Sequence, residues 1–220
     1  MKPKSSLHIS TPKTGRCFVD PPTAIQPSDK VLFALHGYGQ LPQYFLRRFD
    51  AVRKAGWRIV APEGLHRFYV EGTSGRVGAS WMTKEERLTD IEDTLRWLGL
   101  VRETVLDTIR PEKLVLLGFS QGVAAAMRWA AMGKQPADWD GFIFWAGVLP
   151  PDLSWEDGLH GLRGIPIHTA LGDQDPFFDE QLAQASKALF HSAKLEVVQH
   201  IFEGKHHIEE NLLVEILNQL

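Results

Sequence analysis

The stretch that decides the fold is KLVLLGFSQGVAAAM, Lys113 to Met127. Seven mostly apolar residues lead to Ser120, which stands between Gly118 and Gly122, and an alanine-rich run follows. The apolar run reads as a strand buried on both faces, and Gln121 to Met132 as a buried helix. A strand-to-helix turn this tight holds its central residue in a strained conformation, and glycines on either side remove the clashing side chains. The Ser120 hydroxyl then stands clear of the sheet, above a helix N-terminus that favours negative charge. Gly-x-Ser-x-Gly in that setting is the pattern of a nucleophile elbow. A glycine-rich turn is the plainer reading. To set it aside, the chain must also supply a base and a carboxylate to orient it.

Outward from this junction, short apolar runs alternate with helical patterns. KVLFALH (Lys30 to His36), WRIVAP (Trp57 to Pro62), GFIFWAG (Gly141 to Gly147), IPIHTALG (Ile165 to Gly172) and LEVVQHIF (Leu195 to Phe202) read as strands. Leu7 to Ser10 and Arg16 to Val19 are weaker strand candidates for an antiparallel edge. Leu88, Ile91, Leu95, Leu98, Val105 and Ile109 make one amphipathic face that Pro111 ends. Glu180 to Phe190 and Glu209 to Leu220 read as further helices. The alternation implies an α/β fold, a mostly parallel twisted sheet with helices on both faces in a three-layer sandwich. Ligands in such folds bind outside the carboxyl ends of the strands. Val148 to Gly164 is the longest late irregular stretch, so any lid is minimal.

Three loops at that edge carry chemistry. The expected chain order after the serine is acid, then histidine. Asp173 and Asp175 follow one strand, and His206 and His207 follow the last. Turn or cap roles are the bland reading of the aspartates, and solvated loop positions that of the histidines. A metal site is disfavoured, because the chain holds no C-x-x-C or H-E-x-x-H. The third loop is LHGYGQ, Leu35 to Gln40. An oxyanion hole needs two preorganised N–H donors, and the backbone groups of Gln121 and Tyr38 are the candidates. His36 reads as a histidine that shapes this loop.

The chain has 220 residues, 44% hydrophobic and 23% charged, with a net charge of -3. That predicts one domain, residues 1–220, able to bury a full core. It exerts no general pull on nucleic acid. The single cysteine, Cys17, excludes an internal disulfide. MKPKSSLHISTPKTG lacks an apolar core, and no apolar run approaches the ~20 residues of a membrane span, so a cytoplasmic location is expected.

LHGYGQ, APEG, GFSQG, GDQD and FEGKHHI together resemble the phospholipase/carboxylesterase family of α/β-hydrolases, which contains acyl-protein thioesterases and small esterases. The resemblance covers the chain from Val31 to the last helix. The family's G-x-x-D pattern falls on Gly172 to Asp175 and selects Asp175. Its G-G-H-x-I ending falls on GKHHI and selects His206, with Lys205 in place of the second glycine. The resemblance implies a serine carboxylesterase with a Ser120–His206–Asp175 triad, no cofactor and a small ester or thioester substrate. A thioesterase or lysophospholipase would use the same parts. A non-catalytic small-ligand-binding α/β-hydrolase fold is the rival of a different class. Trp81, Trp145 and Phe177, with Phe68, Tyr69, Arg76 and Phe178 nearby, are candidate pocket walls, against plain core packing. Oligomeric state, a homodimer included, stays open.

Overall fold

The computed structural model describes residues 7–133, 138–150, 153, 159–177 and 180–220. Its main sheet has seven strands. In chain order they are β1 (Cys17–Asp20), β2 (Lys30–Leu35), β3 (Trp57–Pro62), β6 (Lys113–Phe119), β7 (Gly141–Trp145), β8 (Ile167–Gly172) and β9 (Val197–Phe202). Their spatial order is β1-β3-β2-β6-β7-β8-β9, parallel throughout except that β1 runs antiparallel to β3. Between β3 and β6 lies a separate antiparallel hairpin, β4 (His66–Tyr69) with β5 (Val77–Ser80).

The helices are α1 (Pro42–Phe45), α2 (Asp50–Lys54), α3 (Arg87–Leu106), α4 (Gln121–Met132), α5 (Glu180–Ser192) and α6 (Glu210–Gln219). Alternate strand residues feed two apolar clusters. Phe33, Leu116 and Phe144 join α3, α4 and Phe190 of α5, while Leu32, Leu117 and Trp145 join α2 and α6. This is why the central strands β2, β3, β6 and β7 carry no polar face: both of their sides are covered. Among the described residues, no helix is long and apolar enough to cross a membrane.

Three local expectations are corrected. Leu7 to Ser10 forms no strand, since Leu7 and Ile9 stand in solvent with no neighbour to pair with, and β1 alone makes the antiparallel edge. Leu88 is 67% exposed, so the buried face of α3 begins at Ile91. That helix stops at Leu106, before Pro111 acts, because Asp107 turns to φ 49°.

Candidate active site

Ser120 caps α4 with φ 54° and ψ -120°, outside the regions ordinary residues favour. The strain persists because the surroundings leave no alternative. A Cβ on Gly122 would lie 2.2 Å from the Leu35 carbonyl oxygen, and one on Gly118 would lie 2.5 Å from that of Gly122. The Ser120 N–H donates to the Trp145 carbonyl (2.9 Å), tying the turn to β7. Gly147, which the sequence reading passed over, closes the other side: its Cβ would lie 2.5 Å from the Ser120 carbonyl oxygen. Its signal was a glycine just past a strand end.

The acid and base choices separate by contact. His206 Nδ1 donates to Asp175 Oδ2 at 2.7 Å. The other Asp175 oxygen accepts from the Phe177 N–H (2.9 Å), so this buried carboxylate is fixed on both sides. Asp173 instead accepts from the Gly204 N–H (2.9 Å) and staples the histidine loop. His207 turns away, its ring edge-on to Phe202 and its carbonyl accepting from Trp145 Nε1 (2.8 Å). The His206 ring lies between Phe119 (5.0 Å between centroids) and Phe177 (4.8 Å). Phe119 leads directly into Ser120. No hydrogen bond joins Ser120 to His206 among the described residues. Lys205 sits at an ordinary negative φ, which explains how it replaces a glycine.

The Tyr38 loop passes beside Ser120, for a Cβ on Gly37 would lie 3.1 Å from Ser120 Cβ. Gly37 N–H donates to Gln40 Oε1, Gly39 N–H to the Ala79 carbonyl and Gln40 N–H to the Gly37 carbonyl. Among the described residues, the N–H groups of Tyr38 and Gln121 donate to no protein acceptor. Both donors lie next to the serine.

His36 holds this loop from below. It is fully buried, and its Nε2 accepts from the Gly64 N–H (3.0 Å). The proton therefore sits on Nδ1, which donates to the Gly37 carbonyl (2.8 Å). Burial pushes its pKa down to about 4, so the ring stays neutral.

Two candidate pocket walls are corrected. Trp81 (1% exposed) and Trp145 (0%) present no open surface, because each is a buried clamp on a site loop. Trp81 Nε1 donates to the His36 carbonyl (2.7 Å), and Trp145 Nε1 grips the His207 loop. The Gln121 side chain adds a clamp unforeseen in the sequence, donating to the Met82 carbonyl (3.0 Å) and accepting from the Trp81 N–H (3.2 Å). Phe177 is exposed and borders a cavity of about 390 Å³ that also touches Asp175, Ala146 and Gly147. Phe68 lies under the Tyr38 ring (5.0 Å), Tyr69 and Arg76 are exposed, and Phe178 lies outside the described residues. Among the described residues, no group of three or more His, Cys, Asp or Glu side chains is placed to hold a metal ion.

Comparisons with known proteins bear on the family and the fold. The Phospholipase/Carboxylesterase family profile matches residues 22–220. The chain is 26% identical over 183 residues to acyl-protein thioesterase 1 of Kluyveromyces lactis, covering 75% of this chain and 78% of that protein. Its fold is similar to that of Zea mays acyl-protein thioesterase 2 (TM-score 0.66, 17% identity, 94% of this chain and 97% of that one). It is also similar to an uncharacterized protein from Bacillus cereus ATCC 10987 (TM-score 0.68, 20% identity, 90% of this chain). The chain spans 62% of the length of that Bacillus protein.

Proposed function

This chain belongs to the phospholipase/carboxylesterase family of esterase- and thioesterase-type hydrolases, and from that premise we propose that it hydrolyses carboxylic esters through an acyl-enzyme on Ser120. The observation that carries the reading is the 2.7 Å bond from His206 to Asp175, made between two loops at the sheet edge that bears the strained serine.

His206 Nε2 takes the Ser120 proton as Oγ attacks the carbonyl carbon, and later gives it to the departing alkoxide. Asp175 holds the proton on Nδ1, so that Nε2 is the free base, and steadies the imidazolium. The tetrahedral oxyanion receives the Tyr38 and Gln121 N–H groups, which cost no reorganisation because nothing else uses them. Water then repeats the cycle against the acyl-enzyme. No step calls for a metal or organic cofactor.

A thioester substrate is the second reading, favoured by the likeness to acyl-protein thioesterase 1. Paired oxygen and sulfur esters of one acyl chain would rank the two. The decisive experiment is hydrolysis of a short p-nitrophenyl ester together with fluorophosphonate labelling. Wild type should turn over and be labelled, and Ser120→Ala should do neither. His206→Ala should abolish labelling, whereas His207→Ala should retain it. Equal slow hydrolysis by wild type and Ser120→Ala would mean a binding protein on a hydrolase fold.

A further inference from the structure

The cavity beside Asp175 lies between α5 and the β7–β8–β9 end of the sheet. At the β7 end it starts at Ala146 and Gly147, against the Ser120 turn. Its floor is apolar and buried, formed by Phe144, Ala170, Phe190 and Leu195. Toward the β9 edge the lining changes. Thr169 and Gln199 face it from the strands, and Lys187 and His191 face it from α5. Phe190 is buried beneath that helix, Ala183 and Ser186 are half-buried, and Lys187 and His191 stand exposed at the open rim of the cavity. Among the described residues, the side chains of Thr169, Lys187, His191 and Gln199 have no hydrogen-bond or ion-pair partner. Among the described residues, the only carboxylate bordering the cavity is Asp175, which is occupied by His206.

We propose that this cavity is the acyl subsite and that its acyl chain ends in a carboxylate held by Lys187. The inference rests on the hydrolase reading above and names its substrate class: esters or thioesters of short acid-ended acyl groups. The acyl arm is the one assigned here because it must stay lodged from attack to deacylation, whereas the alcohol or thiol leaves. The volume, about 390 Å³, accepts about a dozen non-hydrogen atoms at ~30 Å³ each. The apolar floor takes the methylenes. At the far end Lys187, with Gln199, Thr169 and His191 as neighbours, gives the terminal carboxylate the partners those side chains lack within the protein.

The test compares p-nitrophenyl hexanoate with the mono-p-nitrophenyl ester of adipic acid, on wild type, Lys187→Met and Lys187→Arg. Wild type should favour the acid-ended ester in kcat/KM by ~10-fold or more, the worth of one hydrogen bond to a charged group. Lys187→Met should erase that preference, and Lys187→Arg should keep it. Equal rates on the two esters, or equal losses on both in Lys187→Met, would overturn the proposal and leave the hydrolase reading standing. If wild type hydrolyses neither ester, the hydrolase reading fails, and calorimetric titration with adipate decides the subsite. Binding weakened ~10-fold in Lys187→Met would sustain an acid-binding cavity, and no binding would overturn it.

Discussion

α4 and α5 cover the same face of the sheet and are seated in opposite ways. Beneath α4, Val123, Ala126 and Met127 are fully buried, and the backbone comes so close to β2 that Gly122 has no room for a methyl group. Of the cavity-lining residues on α5, only Phe190 is buried, and the exposed Lys187 and His191 border a cavity of about 390 Å³. The Ser120 half of the site is thus held by backbone contact that no side chain can loosen. The Asp175–His206 half gives up packing beside the cavity, and its central point is the bond between His206 and Asp175.

Breaking that point should have the largest effect. Asp175→Asn keeps the shape but presents an amide to His206, which favours the wrong tautomer, so kcat should fall about 10⁴-fold. Asp173→Asn alters only the bond to Gly204 and should cost less than about tenfold, since it leaves the reacting groups in place. Steady-state kinetics on one ester measures both. Equal losses would mean that the Asp175–His206 half is fixed by loop packing and not by the carboxylate.

The packing contrast itself can be tested by adding carbon to each half. Gly122→Ala drives a methyl into the Leu35 carbonyl and should lower stability by roughly 3 kcal/mol, near the top of the overpacking range. Ala183→Leu adds three carbons facing the cavity and should stay within about 0.5 kcal/mol of wild type. Urea unfolding reads both variants. Similar losses would show that α5 is seated as tightly as α4.

The same contrast marks what could be read from sequence. The tight half was legible because its constraints are local: Gly118, Ser120 and Gly122 sit within five residues, and α4 has the bounds its alanine run predicts. Asp175 and His206 were selected over Asp173 and His207 through the family resemblance, and these two side chains lie in hydrogen-bond contact. The hairpin β4–β5 went unforeseen, because two four-residue strands with few apolar residues give little periodicity. It exists through a long-range fit, with Ala79 paired to Gln40 and no space at Gly78 beyond the Gly39 carbonyl. Trp81 and Trp145 were misjudged for a related reason. An aromatic near a catalytic loop reads as a wall or a clamp depending on which way it faces, and only tertiary contact decides that.

The smallest effect extends the contrast to the histidines. His36, in the tight half, has no exposure, while the His206 side chain is 19% exposed. With a folded pKa of about 4 against 6.5 unfolded, His36 takes up a proton on unfolding throughout that window. Its contribution to stability is therefore complete above pH 6.5 and falls as pH drops from 6.5 toward 4. At pH 5 the loss should be about 2 kcal/mol, from 1.36 kcal/mol per pH unit over the interval crossed. His168 and His200, also pushed down by burial, act in the same direction. Urea unfolding between pH 7.5 and 5 should show the decline, and His36→Gln, which cannot titrate, should flatten part of it. A slope unchanged in His36→Gln would mean that the ring takes up its proton in place, and that the Tyr38 loop is looser than its hydrogen bonds to Gly37 and Gly64 imply.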